Sequence, residues 1–531
     1  MNRILIIALL CFPLVSCPPT GPDTTDLDPI GPAPDPMAPG ELLLRFVQIS
    51  DTQVVDEESP ARAVRGDFLI DVAWRPQEAY VPQTLDAVIQ NINAIHVAKA
   101  GPPIDFLIAT GDLADNAQHN ELRWFIDTMD GQMVLPDSGL PDGADRPVAA
   151  ELNPKLAFQA TGLAADIPWY TVYGNHDALS VGVFGIARIG DDPAHWIAPQ
   201  LNIVAGVLGL FSMFPPRSFL APTIAQSPAI LTGDSDRADP DTLQLPLLQL
   251  RAGGIDSDVD RHYLNRHMFI EEHFSSTTAP AGHGFTESNR QGGTTYYATV
   301  PKAGVAVRLI VMDTVAPNPP FGLPADFGVL TRDQFESFVK PEIESAQAAG
   351  EFAIIASHHP SEDFDSLYFV DKVGTAEFRA FLSAQPNVIA HICGHEHRHH
   401  VLHVDGPFPY LEIETASIVD FPQEGRLLDV FYDEPTETLR LESTIIGHID
   451  NPTTLSAESH RRSEIDMNQG GGAIFRDGQS TDLFPDPATL GIEMEAYAPS
   501  STEAMRSRYG QDSDRDFTSV FHRPNPARNS R

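Results

Sequence analysis

The stretch Tyr173-Gly174-Asn175-His176-Asp177 decides the fold, because it sets three polar side chains directly behind the apolar run from Trp169 to Tyr173. Short runs rich in apolar and β-branched residues are typical of buried strands. Four other runs of this kind are followed by similar polar clusters. In an α/β sheet the loops at the carboxyl ends of the strands converge on one edge, and ligands bind there. The other clusters are Ser50-Asp51-Thr52-Gln53, Thr110-Gly111-Asp112-Leu113-Ala114-Asp115, Ser357-His358-His359-Pro360 and Cys393-Gly394-His395-Glu396-His397.

The runs that precede these clusters alternate with helical patterns, which predicts a layered α/β fold. One helix is predicted after Pro82 and another from about Thr331, because apolar residues recur in both segments at helical spacing. The predicted strands are Leu42 to Ile49, Phe106 to Ala109, Trp169 to Tyr173, Ala306 to Met312, Phe352 to Ala356 and Val388 to Ile392.

The residue types in the five clusters favour a metal centre. Asp, Asn and His supply hard or borderline ligand atoms, and several of them brought to one sheet edge would hold two cations close together. A single cluster would be a weak signal. Five clusters in this order along one chain are a strong one.

The order and spelling of the clusters resemble those of the calcineurin-like metallophosphoesterases. The resemblance extends from about Leu42 to His448, apart from a long insertion. It implies an α/β fold built as a two-sheet β-sandwich flanked by helices. It also implies a dinuclear centre of divalent metal ions at the strand ends, with Mn, Fe and Zn all compatible with the ligand types.

The same resemblance implies a role for each matching residue. The first metal would be held by Asp51 and His397 and the second by Asn175, His358 and His395, with Asp112 bridging the two. His176 matches the family's non-ligand histidine that meets the leaving group, and Asp177 could orient it. Asp115 resembles a carboxylate that lies behind the ligands in this family.

The activity implied by the resemblance is hydrolysis of a phosphomonoester or phosphodiester. Two cations would clamp the phosphoryl oxygens, and the hydroxide bridging them would attack phosphorus. His176 would then donate a proton to the leaving oxygen. The implied partner is a small phosphate-ester substrate.

The first motif departs from the family pattern. The family has D-x-H, and this chain has Asp51-Thr52-Gln53, so an amide replaces a nitrogen ligand of the first metal. A carbonyl oxygen suits hard ions such as Mn²⁺ better than Zn²⁺. Three interpretations stay open: a working site with Gln53 as a ligand or behind one, a site with one firmly and one loosely held metal, and a degenerate site. A degenerate site would imply a second function class, a non-catalytic surface binding lipoprotein that keeps the fold.

The N-terminus predicts export and anchoring. Arg3 and the apolar run Ile4 to Val15 form a signal-peptide pattern, too short to span a bilayer. The run ends in Leu14-Val15-Ser16-Cys17, which resembles the lipobox of bacterial lipoproteins. Lipid on Cys17 would anchor the protein to a bacterial membrane, on the periplasmic face or at the cell surface. Residues 18–40, rich in Pro and Asp, would be an extended tether.

The remaining organisation is predicted from composition. By the resemblance, residues 41–450 would form a metallophosphoesterase domain, with 178–294 as an insertion or cap. Residues 451–531 form a polar C-terminal tail, either poorly ordered or lying as a strap on the domain. The 531-residue chain has a net charge of −39, which argues against nucleic acid as a partner. The sequence indicates no oligomeric state.

Overall fold

The structure is a computed structural model that describes residues 40–57, 59, 75–98, 101–139, 150–183, 185, 258, 260–317, 325–366, 368–449, 451–469 and 508–529. The predicted signal peptide, the lipobox and nearly all of the tether lie outside these residues, as does most of the predicted insertion. Among the described helices, none combines the length and the apolar character that crossing a membrane would require.

Sixteen strands and ten α-helices make up the described chain. The strands are β1 Glu41–Ile49, β2 Phe106–Ala109, β3 Met133–Val134, β4 Phe158–Gln159, β5 Trp169–Thr171, β6 Tyr297–Thr299, β7 Val307–Val311, β8 Leu330–Thr331, β9 Phe352–Ala356, β10 Lys372–Val373, β11 Val388–Cys393, β12 His400–Val404, β13 Tyr410–Glu414, β14 Glu424–Asp433, β15 Thr438–Gly447 and β16 Phe517–His522. The helices are α1 Val81–Val97, α2 His119–Asp130, α3 Arg266–Ser275, α4 Glu287–Gly292, α5 Arg332–Gln334, α6 Lys340–Ala349, α7 Thr375–Ser383, α8 Thr454–Gln469, α9 Asp512–Arg515 and α10 Pro526–Asn529.

Both helices predicted from the sequence are present. Pro82 stands in the first turn of α1, where its missing N–H costs nothing. Thr331 caps α5 by accepting a hydrogen bond from the Gln334 amide. A π-helical turn, Phe335–Val339, joins α5 to α6 and makes them one continuous helix.

Two six-stranded mixed sheets form the body of the fold. The first has the order β16-β15-β14-β1-β2-β5, and the second has the order β12-β13-β11-β9-β7-β6. In the first sheet β1, β2 and β5 are parallel, and in the second β7, β9, β11 and β13 are parallel. The remaining strands of both sheets pair antiparallel with their neighbours.

The alternation of side chains along β9 shows how the sheets pack. Phe352, Ile354 and Ala356 belong to a hydrophobic core that also takes in residues of the first sheet. Ala353 and Ile355 point to the other face, into a second core with Phe335 and other residues of the covering helices. Because successive side chains of a strand face opposite sides, β9 is buried on both. The predicted two-sheet sandwich flanked by helices is confirmed.

The register of the parallel strands aligns their carboxyl ends. Ile49 pairs with Ala109 and Ala109 with Thr171 in the first sheet. In the second sheet Ala356 pairs with Val311 on one side and Ile392 on the other. The five polar clusters of the sequence therefore leave the two sheets at the same level, and this alignment positions the site.

The C-terminal segment contributes to the body in its described parts. Helix α8 packs against α1, and β16 pairs with β15 over six residues to form the edge of the first sheet. The buried Arg426 side chain of β14 holds this segment by donating to the backbone carbonyls of Asp514 and Arg515. The sequence left a disordered tail and a strap both open; these parts are a helix and a sheet strand.

Candidate metal centre

Five of the seven residues predicted to hold metal have left-handed backbone conformations, with φ between 41° and 80°. Such values are uncommon for residues other than glycine, and Asp and His are among the residues that tolerate them best. Each costs of the order of 1 kcal/mol or more, and residues of this kind cluster at functional sites. The loops after β1, β2 and β11 therefore turn sharply at the residues that face the site, which are Asp51, Gln53, Asp112, His395 and His397.

Asp112 lies at the centre of the site, and both of its oxygens are engaged. Oδ1 accepts a hydrogen bond of 2.8 Å from the backbone amide of His176. Oδ2 lies 3.1 Å from His358 Nε2 and accepts a bond of 3.3 Å from Gln53 Nε2. The carboxylate thus contacts one residue of each predicted ligand set, His358 and Gln53, as a bridging ligand would.

The predicted second-metal ligands come together on one side of Asp112. Thr110 fixes His358, because the His358 Nδ1–H donates to the Thr110 carbonyl at 2.9 Å and leaves Nε2 facing Asp112. His395 Nδ1 lies 3.2 Å from the side-chain oxygen of Asn175. The amide nitrogen of Asn175 donates to the Gly182 carbonyl, which keeps its oxygen turned towards His395.

On the other side of Asp112 lie the predicted first-metal ligands. Asp51 Oδ1 is 3.3 Å from His397 Nε2 and 3.9 Å from His358 Nε2. The His397 Nδ1–H donates to Asp420 Oδ2 at 2.6 Å, which leaves Nε2 as the free ring nitrogen. Gln53 Nε2 lies 3.2 Å from that nitrogen, so the amide of Gln53 sits within this group of ligands.

Three buried atoms at the centre, Asp51 Oδ1, Gln53 Oε1 and His358 Nε2, make no hydrogen bond of good geometry, and Asp51 Oδ1 and His358 Nε2 approach only other candidate ligands. An unpartnered buried polar atom is costly, and each of these atoms is a metal-ligand type. The candidate ligand atoms of Asp51, Asp112 and His358 lie within 4.8 Å of one another. The donor set therefore fits divalent cations.

The electrostatics of the centre also favour the binding of a cation. Burial would lower the pKa of His358, but Asp112 and Asp51 raise it to about 10. Burial would raise the pKa of Asp51, yet His397 and His358 hold it below its ordinary value. Carboxylates kept ionised in a buried cluster attract a cation, because the local field is not screened by water.

His359 lies beside these ligands but is committed elsewhere. Its Nδ1 is 2.9 Å from the hydroxyl of Thr314, and its Nε2 is 3.2 Å from the carbonyl of Asp326. Both ring nitrogens therefore have partners outside the centre, which separates His359 from the neighbouring ligand candidate His358.

The predicted leaving-group histidine, His176, is held through one ring nitrogen. Its Nδ1–H donates to the backbone carbonyl of Asp115 at 2.7 Å, and Asp115 Oδ1 lies 3.3 Å away. Gly182 lies against the other edge of the ring, where an added Cβ would come within 2.1 Å of Nε2. The imidazole is thus fixed with Nε2 as the nitrogen that can exchange a proton with a bound molecule.

The prediction that Asp177 orients His176 requires correction. Asp177 Oδ1 accepts from the backbone amides of Leu113 and Ala114, and Oδ2 accepts from that of Gly174. Burial and the nearby Asp112 raise the pKa of Asp177 to about 7. Its contacts tie the loop after β2 to the loop after β5, whereas the carboxylate beside His176 belongs to Asp115.

Sequence reasoning missed the residues behind the first metal. Asp420 supports His397, and Arg75 in turn contacts Asp420, with Nε 3.1 Å from Asp420 Oδ1. Neither residue follows a predicted strand. A search for polar residues directly after apolar runs, which identified the other clusters, could therefore not identify these two. Ser50, quoted in the first cluster without a role, donates to Asp51 Oδ2 at 2.5 Å.

Residues 44–221 match the family model described as calcineurin-like phosphoesterase. Residues 44–221 are therefore similar to the calcineurin-like phosphoesterases. The match supports a hydrolase that acts on phosphoric esters, and the matched family implies divalent metal ions.

Among solved structures, one similar to this chain is a dimetal phosphatase from Danio rerio. The two are 12% identical, and the alignment covers 77% of this chain and 97% of that chain with a TM-score of 0.33. No curated protein sequence matches this chain.

Replacing Gly174 by Ala tests the placement of the bridging carboxylate. The added Cβ would lie 2.0 Å from Asp112 Oδ1 and 2.3 Å from its backbone nitrogen, so Asp112 must move. We expect Mn²⁺ to bind about 10- to 100-fold more weakly, as when the support of a ligand is lost. Equilibrium dialysis of the folded variant measures the change.

Gly292→Ala is the matched control, because its Cβ would meet no atom closer than 3.8 Å. It should bind Mn²⁺ like the wild type. Unchanged affinity in Gly174→Ala would mean that Asp112 does not hold metal.

Proposed function

We propose that the chain hydrolyses a small phosphomonoester or phosphodiester at a centre of two divalent cations. The observation that carries the proposal is the convergence of Asp51, Asp112 and His358 around unpartnered buried ligand atoms. When bound, the cations would neutralise the phosphoryl oxygens and acidify the water that attacks phosphorus. Asp112 contacts a residue of each ligand set and is the residue that would hold both cations.

The two ligand sets differ in donor chemistry. Asp51, Gln53 and His397 would hold the first cation with two oxygens and one nitrogen. Asn175, His358 and His395 would hold the second with one oxygen and two nitrogens. Oxygen donors favour Mn²⁺ over Zn²⁺ at the first position, and imidazole suits Fe and Zn at the second. Metal identity is thus set separately on each side of Asp112.

His176 is the residue that would serve the leaving group. The bond from its Nδ1–H to the Asp115 carbonyl leaves Nε2 to donate a proton to the departing oxygen. The nearby Asp115 carboxylate stabilises the positive ring before the transfer. The side chain of His176 is buried, which excludes bulk water from the proton's path.

So acidic a chain can bind an anionic ester because repulsion by the net charge and attraction by the metal ions act over different distances. A net charge of −39 repels anions at a distance, but salt screens that field beyond roughly 8 Å under physiological conditions. Metal charges act at contact, inside that distance. The same net charge disfavours nucleic acid and favours a small substrate.

Hydrolysis of a chromogenic phosphodiester and of its monoester tests the proposal. With residues 1–17 removed, chelation should abolish turnover and Mn²⁺ should restore it. The variant His176→Ala should lose about 10²- to 10⁴-fold in kcat, because the leaving oxygen then departs without a proton. The preferred ester would identify the branch of the family.

His522→Ala is the control for this histidine, since the His522 side chain is 73% exposed. It should keep wild-type turnover. If the metal-loaded wild type turns over neither ester, the catalytic proposal is wrong.

The second function class, a binding lipoprotein without turnover, is distinguished by Gln53→His. Nε2 of Gln53 lies 3.2 Å from His397 Nε2, and Oε1 is buried without a hydrogen-bond partner, so a histidine there would add a nitrogen ligand to the first set. We expect tighter Mn²⁺ binding and equal or higher hydrolysis at limiting Mn²⁺. Titration of activity against free Mn²⁺ provides the measurement.

A binding protein would behave differently in the same experiment. Tight binding of a phosphate ester, with no turnover in either the wild type or Gln53→His, would favour that class. Gln53→Ala is the companion variant, because it removes the amide oxygen without adding a ligand and should weaken Mn²⁺ binding.

An extracytoplasmic, lipid-anchored location is part of the proposal. Support comes from the sequence alone: a signal-peptide pattern, a lipobox ending at Cys17, and a tether rich in Pro and Asp. Expression in a bacterium with labelled fatty acid should label the wild type, and Cys17→Ser should abolish the label. Because Cys11 precedes the predicted cleavage site, Cys11→Ser should still be labelled. A wild type that takes up no label would contradict the anchor.

A further inference from the structure

Arg75 lies behind the metal centre, and its side chain is almost completely buried, with 2% exposed. A buried guanidinium needs anionic partners, because burial penalises its charge. Two carboxylates supply them. Nε lies 3.1 Å from Asp420 Oδ1, and one terminal nitrogen lies 3.3 Å from Asp115 Oδ1.

The two carboxylates serve different parts of the site. Asp420 accepts the Nδ1–H bond of the first-metal ligand His397 at 2.6 Å. Asp115 lies 3.3 Å from His176, the residue placed to meet the leaving group. A single side chain, Arg75, therefore stands behind both a ligand and the proton donor.

The turn that carries Arg75 is fixed from two directions. Within the turn, the amide nitrogen of Gln77 donates to Asp420 Oδ1 at 2.9 Å. From the C-terminal part of the chain, helix α8 contributes Asp466, whose Oδ2 accepts from Gln77 at 3.4 Å. Arg462 of the same helix donates to the carbonyl of Pro76. Helix α8 lies outside the segment that matches the family model.

We propose that Arg75 is a positioning residue of this centre, which holds Asp420 against His397 and Asp115 against His176, with helix α8 bracing its turn. The proposal rests on the proposed function. It assigns a role in the site to a residue that neither contacts the predicted ligands nor follows a predicted strand.

The physical basis is the charge that Arg75 balances. Asp420, Asp115 and Asp466 are buried carboxylates that face the guanidinium, and without it they would repel one another. Asp420 would then rotate away, and that movement would release the Nδ1–H of His397. Because support of this kind fixes the orientation of a ligating histidine, its loss weakens metal binding. The planar fork of arginine reaches both carboxylates, which the single ammonium of lysine cannot do in the same geometry.

The test is Mn²⁺ binding by Arg75→Lys, measured by titration calorimetry on the chain lacking residues 1–17. Lysine keeps the charge and removes the fork. We expect the weaker of the two Mn²⁺ affinities to fall about 10- to 100-fold. At saturating Mn²⁺, kcat should remain below the wild-type value while KM changes little, because the Asp115 carboxylate is no longer held beside His176 to stabilise its charged ring.

Arg308→Lys is the matched control. Arg308 is also paired with two carboxylates, Glu342 and Glu351, but it lies on β7 away from the centre. It should keep wild-type Mn²⁺ affinity and kcat. Gln77→Ala is a milder second variant, which removes one bond to Asp420 and leaves every charge in place. It should weaken Mn²⁺ binding several-fold and provides the test if Arg75→Lys does not fold.

The outcomes separate this inference from the proposed function. Wild-type Mn²⁺ affinity and kcat in both Arg75→Lys and Gln77→Ala would overturn the role of Arg75 alone. An equal loss of affinity in Arg308→Lys would also overturn it, since the effect would then be general destabilisation. A wild type that binds no Mn²⁺ would instead overturn the proposed function.

Discussion

The structure depends on keeping several carboxylates ionised and buried at one point, the gap between the ends of two sheets. Asp51 and Asp112 lie there beside His358, and both carboxylates are 1% exposed or less. Such charge is tolerated only where positive charge and hydrogen-bond donors surround it. Backbone amides and histidines supply part of that requirement, and the two divalent cations of the proposed function would supply the rest. The need to surround these buried carboxylates with positive charge and hydrogen-bond donors explains much of the local architecture.

The backbone conforms to the same constraint. Parallel strands of both sheets end at one level, so their loops can reach a common point, but each loop must turn within two or three residues. Asp51, Asp112 and His397 therefore take left-handed conformations that most residues avoid. Asp177 ties two of these loops together through three backbone amides. The packing of the two sheets offsets the cost of these strained conformations, which the loops alone could not maintain.

Much of the fold and of the inner site could be predicted because both depend on short sequence intervals. A strand and the cluster behind it lie within about ten residues, and period-two and helical patterns mark the elements between. The outer contacts could not be predicted in this way. Arg75 and Asp420 are 345 positions apart, and their pairing follows from the packing of a turn against a loop of another sheet. Asp177 was assigned to its sequence neighbour His176, whereas three-dimensional proximity gave that role to Asp115.

The central claim is that Asp112 holds two cations at once. Anomalous diffraction from crystals grown with Mn²⁺, recorded on both sides of the manganese absorption edge, tests it most directly. We expect two anomalous peaks, one between Asp112 and His397 and one between Asp112 and His358, separated by about 3.5 to 4 Å as in two-metal hydrolases. One peak, or peaks that Asp112 does not contact, in a crystal saturated with Mn²⁺ would contradict it.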